Sequence, residues 1–279
     1  MNRAAAWFSL LILAGCQSAA DGPGAVRGDV SREIASVFDG TGGTWIDLTH
    51  SFSDATIYWP TDTLGFVHEK LAYGPTDGGW FYASYRLSAA EHGGTHLDAP
   101  IHFAEGRQTC DQIPLANLIG PAVVVDVSDR AHADYLVSVE DLEKWEGEHG
   151  RIPDRGILLL RTGWGERYSD RIAYLGTDRT GPRAVSELHF PGLAPDAARW
   201  LVDNRAIAAL GLDTPSLDYG QSADFRTHVI LNTQNIAGFE NVANLEELPP
   251  VGSYVVALPM KIHNGSGGPL RIVAFVPGR

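Results

Sequence analysis

The chain has 279 residues, enough for one large domain or two small ones with a sizeable core. Its 21 Lys and Arg against 34 Asp and Glu leave a net charge of −13, and Lys70, Lys144 and Lys261 are its lysines. Without a basic run to neutralise phosphates, a nucleic-acid partner is disfavoured; the lack of short-period repeats argues against collagen, coiled coil and solenoid.

Met1-Asn2-Arg3 is a short positive start, and Ala4 to Gly15 is mostly apolar. That stretch is too short for a bilayer, which needs roughly 20 apolar residues, and it fits the apolar region of a secretory signal peptide. Leu13-Ala14-Gly15-Cys16 resembles a bacterial lipobox, which implies cleavage before Cys16 and acylation of its thiol. The expected organisation is a signal peptide at 1–15, a lipidated Cys16 and tether at 16–43, and one compact domain at 44–279. Residues 31–38 of the tether have the pattern of a short helix. The expected location is the bacterial cell envelope, at a membrane surface to which the N-terminal lipid ties the chain. With Cys16 acylated, Cys110 is the one remaining thiol, and no intramolecular disulfide is expected.

Past the tether, Trp45–Thr49 and Phe81–Leu87 alternate and predict strands. Ala122–Val127 and Ile157–Leu160 are apolar runs of buried-strand type. Ser138 can cap a helix to about Glu148, with Asp141 at its third position. Pro195 suits the first turn of a helix to about Asn204. Ile207–Leu212, Tyr254–Leu258 and Arg271–Val276 complete the strands. Strands and helices alternate irregularly, so a mixed α/β sheet is expected rather than a regular doubly wound one.

The chemistry concentrates in His92-Gly93-Gly94-Thr95-His96-Leu97-Asp98-Ala99-Pro100-Ile101-His102-Phe103. Ten His in the chain put about 0.4 in an eleven-residue window; residues 92–102 hold three, with an Asp two residues after the second. Imidazole and carboxylate together suit Zn²⁺, Mn²⁺ or Fe²⁺. Gly93-Gly94 and Pro100 disfavour a regular helix here, so a loop or strand end should fold these ligands round an ion. The small glycines are expected to let the backbone pass close to it. A polar loop with partly buried His is the bland alternative.

The segment resembles the His-x-Gly-Thr-His-x-Asp-x-Pro-x-His-Phe signature of the cyclase superfamily, which includes bacterial kynurenine formamidases and isatin hydrolases, metal-dependent amidases. Trp59-Pro60-Thr61-Asp62 resembles the superfamily's Trp-Pro-Gly-Asp, with Thr61 in place of Gly. Gly211-Leu212-Asp213-Thr214-Pro215-Ser216-Leu217-Asp218 is similar to its Gly-Ile-Asp-Thr-Pro-Ser-Ile-Asp. His228 and Glu240 keep the spacing of two further ligands, and Pro259–Ile262 and Gly265–Arg271 also look like superfamily sequence. The resemblance runs from about Trp45 to Arg279. It implies a swivelling β/β/α single domain and a homodimer. It implies that His92, His96 and Asp98 bind a first divalent metal ion, Mn²⁺ or Zn²⁺. In two-metal members Asp98 and Glu240 would bridge and His228 would hold the second ion; one-metal members also exist. His102 would be the general acid/base and Trp59 would line the substrate pocket.

These roles agree with the chemistry of amide hydrolysis. A metal lowers the pKa of water toward ~7 and stabilises charge on the carbonyl oxygen. An unligated His near pKa ~6.5 can protonate the departing nitrogen. His102 could instead be a fourth ligand or a partner behind one. Asp213 and Asp218 could orient ligand His residues, whereas His50, His68, His132, His149, His189 and His263 read as surface or capping residues. Ser216 lies in no Gly-x-Ser-x-Gly elbow, and Gly40–Gly43 lacks the Lys of a phosphate loop. The expected function is hydrolysis of a C–N bond in a cyclic or aryl amide, the small-molecule substrate, by metal-activated water. Two alternatives stand beside it. One is hydrolysis of N-formyl-kynurenine, against which an export signal argues. The other is a lipoprotein that binds a ligand without turnover.

Overall fold

The computed structural model describes residues 27–278, so the expected signal peptide, Cys16 and the first part of the tether lie outside the described residues. The chain divides into two compact units, Met1–Gly42 and Gly43–Arg279. In the first unit, helix α1 spans Arg27–Asp39, longer at both ends than residues 31–38. Val30, Ile34 and Val37 recur at helical spacing along it.

The second unit runs β1 (Gly43–Asp47), β2 (Val67–Pro75), β3 (Phe81–Ser88), β4 (His96–Asp98), α2 (Leu115–Leu118), β5 (Ile119–Asp126), β6 (Leu136–Val137), α3 (Val139–His149), β7 (Ile157–Arg161), α4 (Arg171–Leu175), β8 (Gly192–Leu193), α5 (Pro195–Asn204), β9 (Ala209–Leu212), α6 (Arg226–Thr233), β10 (Ala237–Glu240), β11 (Ser253–Pro259) and β12 (Gly267–Pro277). Eight of these strands form one sheet in the order β1-β12-β11-β5-β7-β9-β10-β4. The long β12 closes it: its residues 270–277 pair with β11 and β1, while Gly267–Pro269 pair with β4. Neighbours among β5, β7, β9 and β10 are parallel, and the other pairings of this eight-stranded sheet are antiparallel. The result is a mixed α/β domain with a barrel-like sheet.

Alternation along the central strands explains their unbroken apolar runs. Ala122, Val124, Ile157 and Leu159 join an interior cluster with Leu97, Phe239, Val255 and Ile272. Val123, Val125, Leu158 and Leu160 face the other way, against Leu142, Trp145, Ala198 and Leu201 of α3 and α5. Strands covered on both faces have no polar side to show. The helices start as their sequences require. Ser138 Oγ accepts from Asp141 N at 3.2 Å while Asp141 accepts from Ser138 N at 2.9 Å, a reciprocal cap that stabilises α3 by about 1 kcal/mol. Pro195 opens α5, where no backbone donor is lost.

Several boundaries differ from the sequence pattern because partners set them. The last strand runs Gly267–Pro277 rather than Arg271–Val276, since Gly267–Pro269 pair with β4. β9 starts at Ala209 rather than Ile207, opposite Ile157 of β7. The first strand is Gly43–Asp47, where β12 faces it, and Thr49 makes only an isolated bridge to Val242. The run at Ala122–Val127 starts earlier, at Ile119, because β11 pairs with Ile119–Ala122. Among the described residues, no helix is long and apolar enough to cross a membrane. Leu159 is fully buried in the interior cluster. Leu159→Ala should therefore destabilise the domain by about 2–5 kcal/mol in chemical denaturation, chiefly through the cavity it leaves.

Candidate metal centre

Strand register assembles the centre. In the buried β4, His96 and Asp98 point to one face and Leu97 to the other. β10 lies antiparallel beside it with Glu240 opposite His96 and Gly238 opposite Asp98. Opposed residues share a face, so Glu240 joins the pair. α6 adds His228 from the next layer. Asp218 anchors that helix by accepting from His228 N at 3.1 Å and Thr227 N at 3.0 Å.

His92 reaches the centre from the loop before β4. The two glycines that follow are needed, but not for the expected reason. A Cβ at Gly93 would fall 2.1 Å from the Tyr58 ring, and Gly94, at φ +58°, would bring one 2.8 Å from Phe52. They admit the preceding loop rather than an ion. On the other side of β4, Gly267 lies opposite Asp98, and a Cβ there would sit 2.6 Å from His92 Cε1.

The side chains converge closely. Asp98 Oδ1 lies 2.6 Å from His92 Nδ1 and 3.1 Å from His96 Nε2, while its Oδ2 lies 3.1 Å from His228 Nε2. Glu240 places Oε1 3.1 Å from His228 Nε2 and Oε2 3.4 Å from His96 Nε2. One ligand atom each from His92, His96 and Asp98 lies within 4.8 Å of the others, and the same holds for Asp98, His228 and Glu240. Asp98 thus belongs to two ligand groups, one at each oxygen.

The outer nitrogens of two imidazoles are tied back. His96 Nδ1 bonds the Gly94 carbonyl at 2.9 Å, which also accepts from Asn241 Nδ2 at 2.7 Å; Tyr174 in turn donates to Asn241 Oδ1 at 2.9 Å. His228 Nδ1 bonds Asp218 Oδ2 at 2.6 Å. Both Nε2 atoms therefore face inward. Asp218 has the orienting role its position suggested, whereas Asp213 does not: its carboxylate accepts from Thr162 N and Oγ1 and touches no ligand His. His50, expected at the surface or as a cap, stacks on Tyr168 at 3.6 Å and buries its Nε2.

The electrostatics of this buried group call for positive charge. Burial pulls the His96 imidazole down, but Asp98 and Glu240 outweigh it and set it at about 9. Burial also opposes charge on His228, yet Asp218, Asp98 and Glu240 raise it well above the usual range. Asp98 is held well below its ordinary value despite burial, by His92, His228 and His96. Burial and then the neighbouring Asp98 push Glu240 up. His96 Nε2 is buried without a well-aligned hydrogen bond and faces two carboxylates. Divalent cations suit such a donor set, since they take the place of the shared protons.

His102 ends the turn Pro100–His102 and stacks on His92 at 3.8 Å, so it adjoins the centre without joining either ligand group. Burial lowers it to about 4. A cavity of about 300 Å³ opens over these residues, with Trp59, Phe103 and Phe225 on its wall. Phe225 lies 6.1 Å from Trp59 and 5.2 Å from Phe103, ring to ring, and holds a left-handed backbone at φ 49°, ψ 41°, rare for a bulky residue. Phe225, Asn241 and Tyr174 escaped the sequence reading; only the adjacency of Asn241 to Glu240 and of Phe225 to the His228 segment could have drawn attention to them.

Comparison with known proteins gives a consistent result. Residues 46–219 match the Cyclase family, described as "Putative cyclase". The isatin hydrolase of Roseibium aggregatum is 35% identical over 209 residues, 71% of this chain and 77% of that protein. The kynurenine formamidase of Salinibacter ruber is 31% identical over 228 residues, 82% of this chain and 95% of that one. A crystal structure of an isatin hydrolase bound to the product analogue thioisatinate superposes with a TM-score of 0.79 at 30% identity, covering 91% of this chain and all of that one, 100%. Isatin hydrolase A from Ralstonia solanacearum gives 0.77 at 30% identity, covering 93% and 100%.

Proposed function

This chain belongs to the cyclase family, and we propose that it is a metal-dependent hydrolase that cleaves the C–N bond of a cyclic or aryl amide, as isatin hydrolases do. The observation that carries this reading is the two ligand groups sharing Asp98, set beside His102 on a cavity walled by aromatic rings. His92, His96 and Asp98 would hold one ion, and Asp98, His228 and Glu240 a second; imidazole and carboxylate donors suit Mn²⁺ or Zn²⁺. The bound metal supplies Lewis acidity, which makes water nucleophilic near neutral pH and offsets charge on the amide oxygen.

The chain's own residues do the rest. Trp59, Phe103 and Phe225 pack against a flat apolar substrate and exclude water from it. No side-chain hydrogen bond among the described residues fixes His102, so its ring nitrogen is available to the reaction. It takes a proton from the attacking water and delivers it to the departing nitrogen. Hydroxyl adds to the acyl carbon, the C–N bond breaks, and the nitrogen leaves with the transferred proton. For a cyclic amide the product is one open-chain amino acid. A second reading, N-formyl-kynurenine as substrate, is favoured by the similarity to the Salinibacter ruber protein over 82% of the chain.

The same proposal extends to location and assembly. The lipobox at Leu13–Cys16 supports acylation of Cys16 and attachment to the cell envelope. The β2–β3 hairpin supports a homodimer. It is a separate two-stranded sheet that exposes Tyr73, Trp80, Phe81 and Tyr82, and such a ribbon is marginal unless something covers it.

Purified protein should contain one or two equivalents of Mn or Zn, and Asp98→Ala should lose both metal and turnover. His102→Ala should keep the metal and lose about 10²–10⁴-fold in kcat; full activity would remove its acid/base role. Turnover of isatin against N-formyl-kynurenine chooses between the two substrates, and turnover of no amide by metal-loaded protein points to a non-catalytic binder. Cys16→Ser should move the full-length protein from the membrane to the soluble fraction, and an unchanged distribution would refute the anchor. Sedimentation should show a dimer that Phe81→Glu with Tyr82→Glu converts to monomer; a monomeric wild type would refute the assembly.

A further inference from the structure

His92 differs from the other two imidazoles of the centre in the nitrogen it turns inward. His96 and His228 present Nε2, but His92 presents Nδ1, 2.6 Å from Asp98 Oδ1. Its Nε2 points outward to Ser266 Oγ at 2.8 Å. Behind the serine stands Glu91, the residue just before His92. One oxygen, Glu91 Oε2, accepts from Ser266 N at 2.8 Å, Gly267 N at 3.2 Å and Ser266 Oγ at 2.6 Å.

That arrangement settles the direction of each hydrogen bond. An oxygen collecting two backbone N–H groups is an acceptor, so the serine hydroxyl donates to it. Serine has a single O–H. With that hydrogen committed to Glu91, Ser266 Oγ can only accept from His92, and Nε2 must carry the imidazole proton. Nδ1 is then left with its lone pair facing a carboxylate oxygen, an arrangement that a cation satisfies.

We propose that Glu91 and Ser266 are positioning residues that fix the tautomer of His92, so that it offers Nδ1 to the metal while His96 and His228 offer Nε2. The proposal rests on the metal centre described above. Gly267 is part of the device, because a side chain there would occupy the place of the His92 ring. Without Glu91 the serine hydroxyl is free to donate to Nε2. The imidazole proton would then move to Nδ1 and compete with the ion. Without the serine oxygen, Nε2–H loses its acceptor and the ring its orientation.

The test is metal affinity by chelator competition with Mn²⁺ and Zn²⁺, on wild type, Ser266→Ala, Glu91→Ala and Glu91→Gln. Partners behind metal-ligating His typically contribute about 10–100-fold in affinity, and a loss of that size is expected in Ser266→Ala and Glu91→Ala. Glu91→Gln, which keeps an acceptor oxygen, should stay within about threefold of wild type on the same argument. The thermal midpoint of the metal-free variants should match that of metal-free wild type, which separates orientation of a ligand from support of the fold. Wild-type affinity in both alanine variants overturns the proposal while leaving the metal centre standing. So does a loss in Glu91→Gln equal to that in Glu91→Ala, or a loss that follows a lowered metal-free midpoint. A wild-type protein that binds neither metal overturns this proposal and the centre together.

Discussion

Asp98 and Glu240 each place an oxygen 3.1 Å from the same nitrogen of His228, and both carboxyl groups are buried. Two carboxylates held this close away from water repel each other, and each costs several kcal/mol to desolvate. Positive charge among them relieves that repulsion, and burial with the neighbouring Asp98 already pushes Glu240 up. The three imidazoles supply the geometry for that charge, and the raised values of His96 and His228 register how strongly the acids demand it. The rest of the domain is built to hold these five side chains against that repulsion.

The closed sheet does most of the holding. β4 has only three residues, too few to stay in place alone, but it is clamped between β10 and β12. That double pairing aligns Glu240 with His96 on one side and Gly267 with Asp98 on the other. A slip of one residue would turn His96 and Asp98 into the core and Leu97 into the centre. The interior cluster around Leu97 and Phe239 prevents the slip by hydrophobic burial, so the packing of the barrel fixes the chemistry on its rim. Outside the ligands, Asp218 and the Gly94 carbonyl backed by Asn241 keep two rings aimed inward.

Sequence and structure agree most closely where a feature is local. The buried runs of β5 and β7, the reciprocal cap of α3 and the proline start of α5 each follow from a few adjacent residues. The cluster at 92–102 announced metal chemistry by composition, and its glycines and proline excluded a helix. Sequence is less decisive where several roles suit one residue type. Asp213 and Asp218 look alike in sequence, yet one braces the loop at Thr162 and the other orients His228. Gly93 and Gly94 are needed for close approach, but the approach is that of Tyr58 and Phe52, not of an ion. β10 and α6 carry no marked pattern because four to eight residues hold too little periodicity.

By itself, the sequence determined the class of reaction, a candidate donor set and the resemblance that supplied His228 and Glu240 as candidates, because residue types and spacings are written along the chain. It also determined the central strands and the capped helices, whose signals span a few neighbouring residues. Only the tertiary structure decided that Asp98 serves two ligand groups, that Phe225 joins Trp59 on the cavity wall, and that Ser266 stands behind His92 from 174 residues away. The physical reason is that which side chains meet, and which nitrogen an imidazole turns inward, depends on strand register and on the packing of one layer against another.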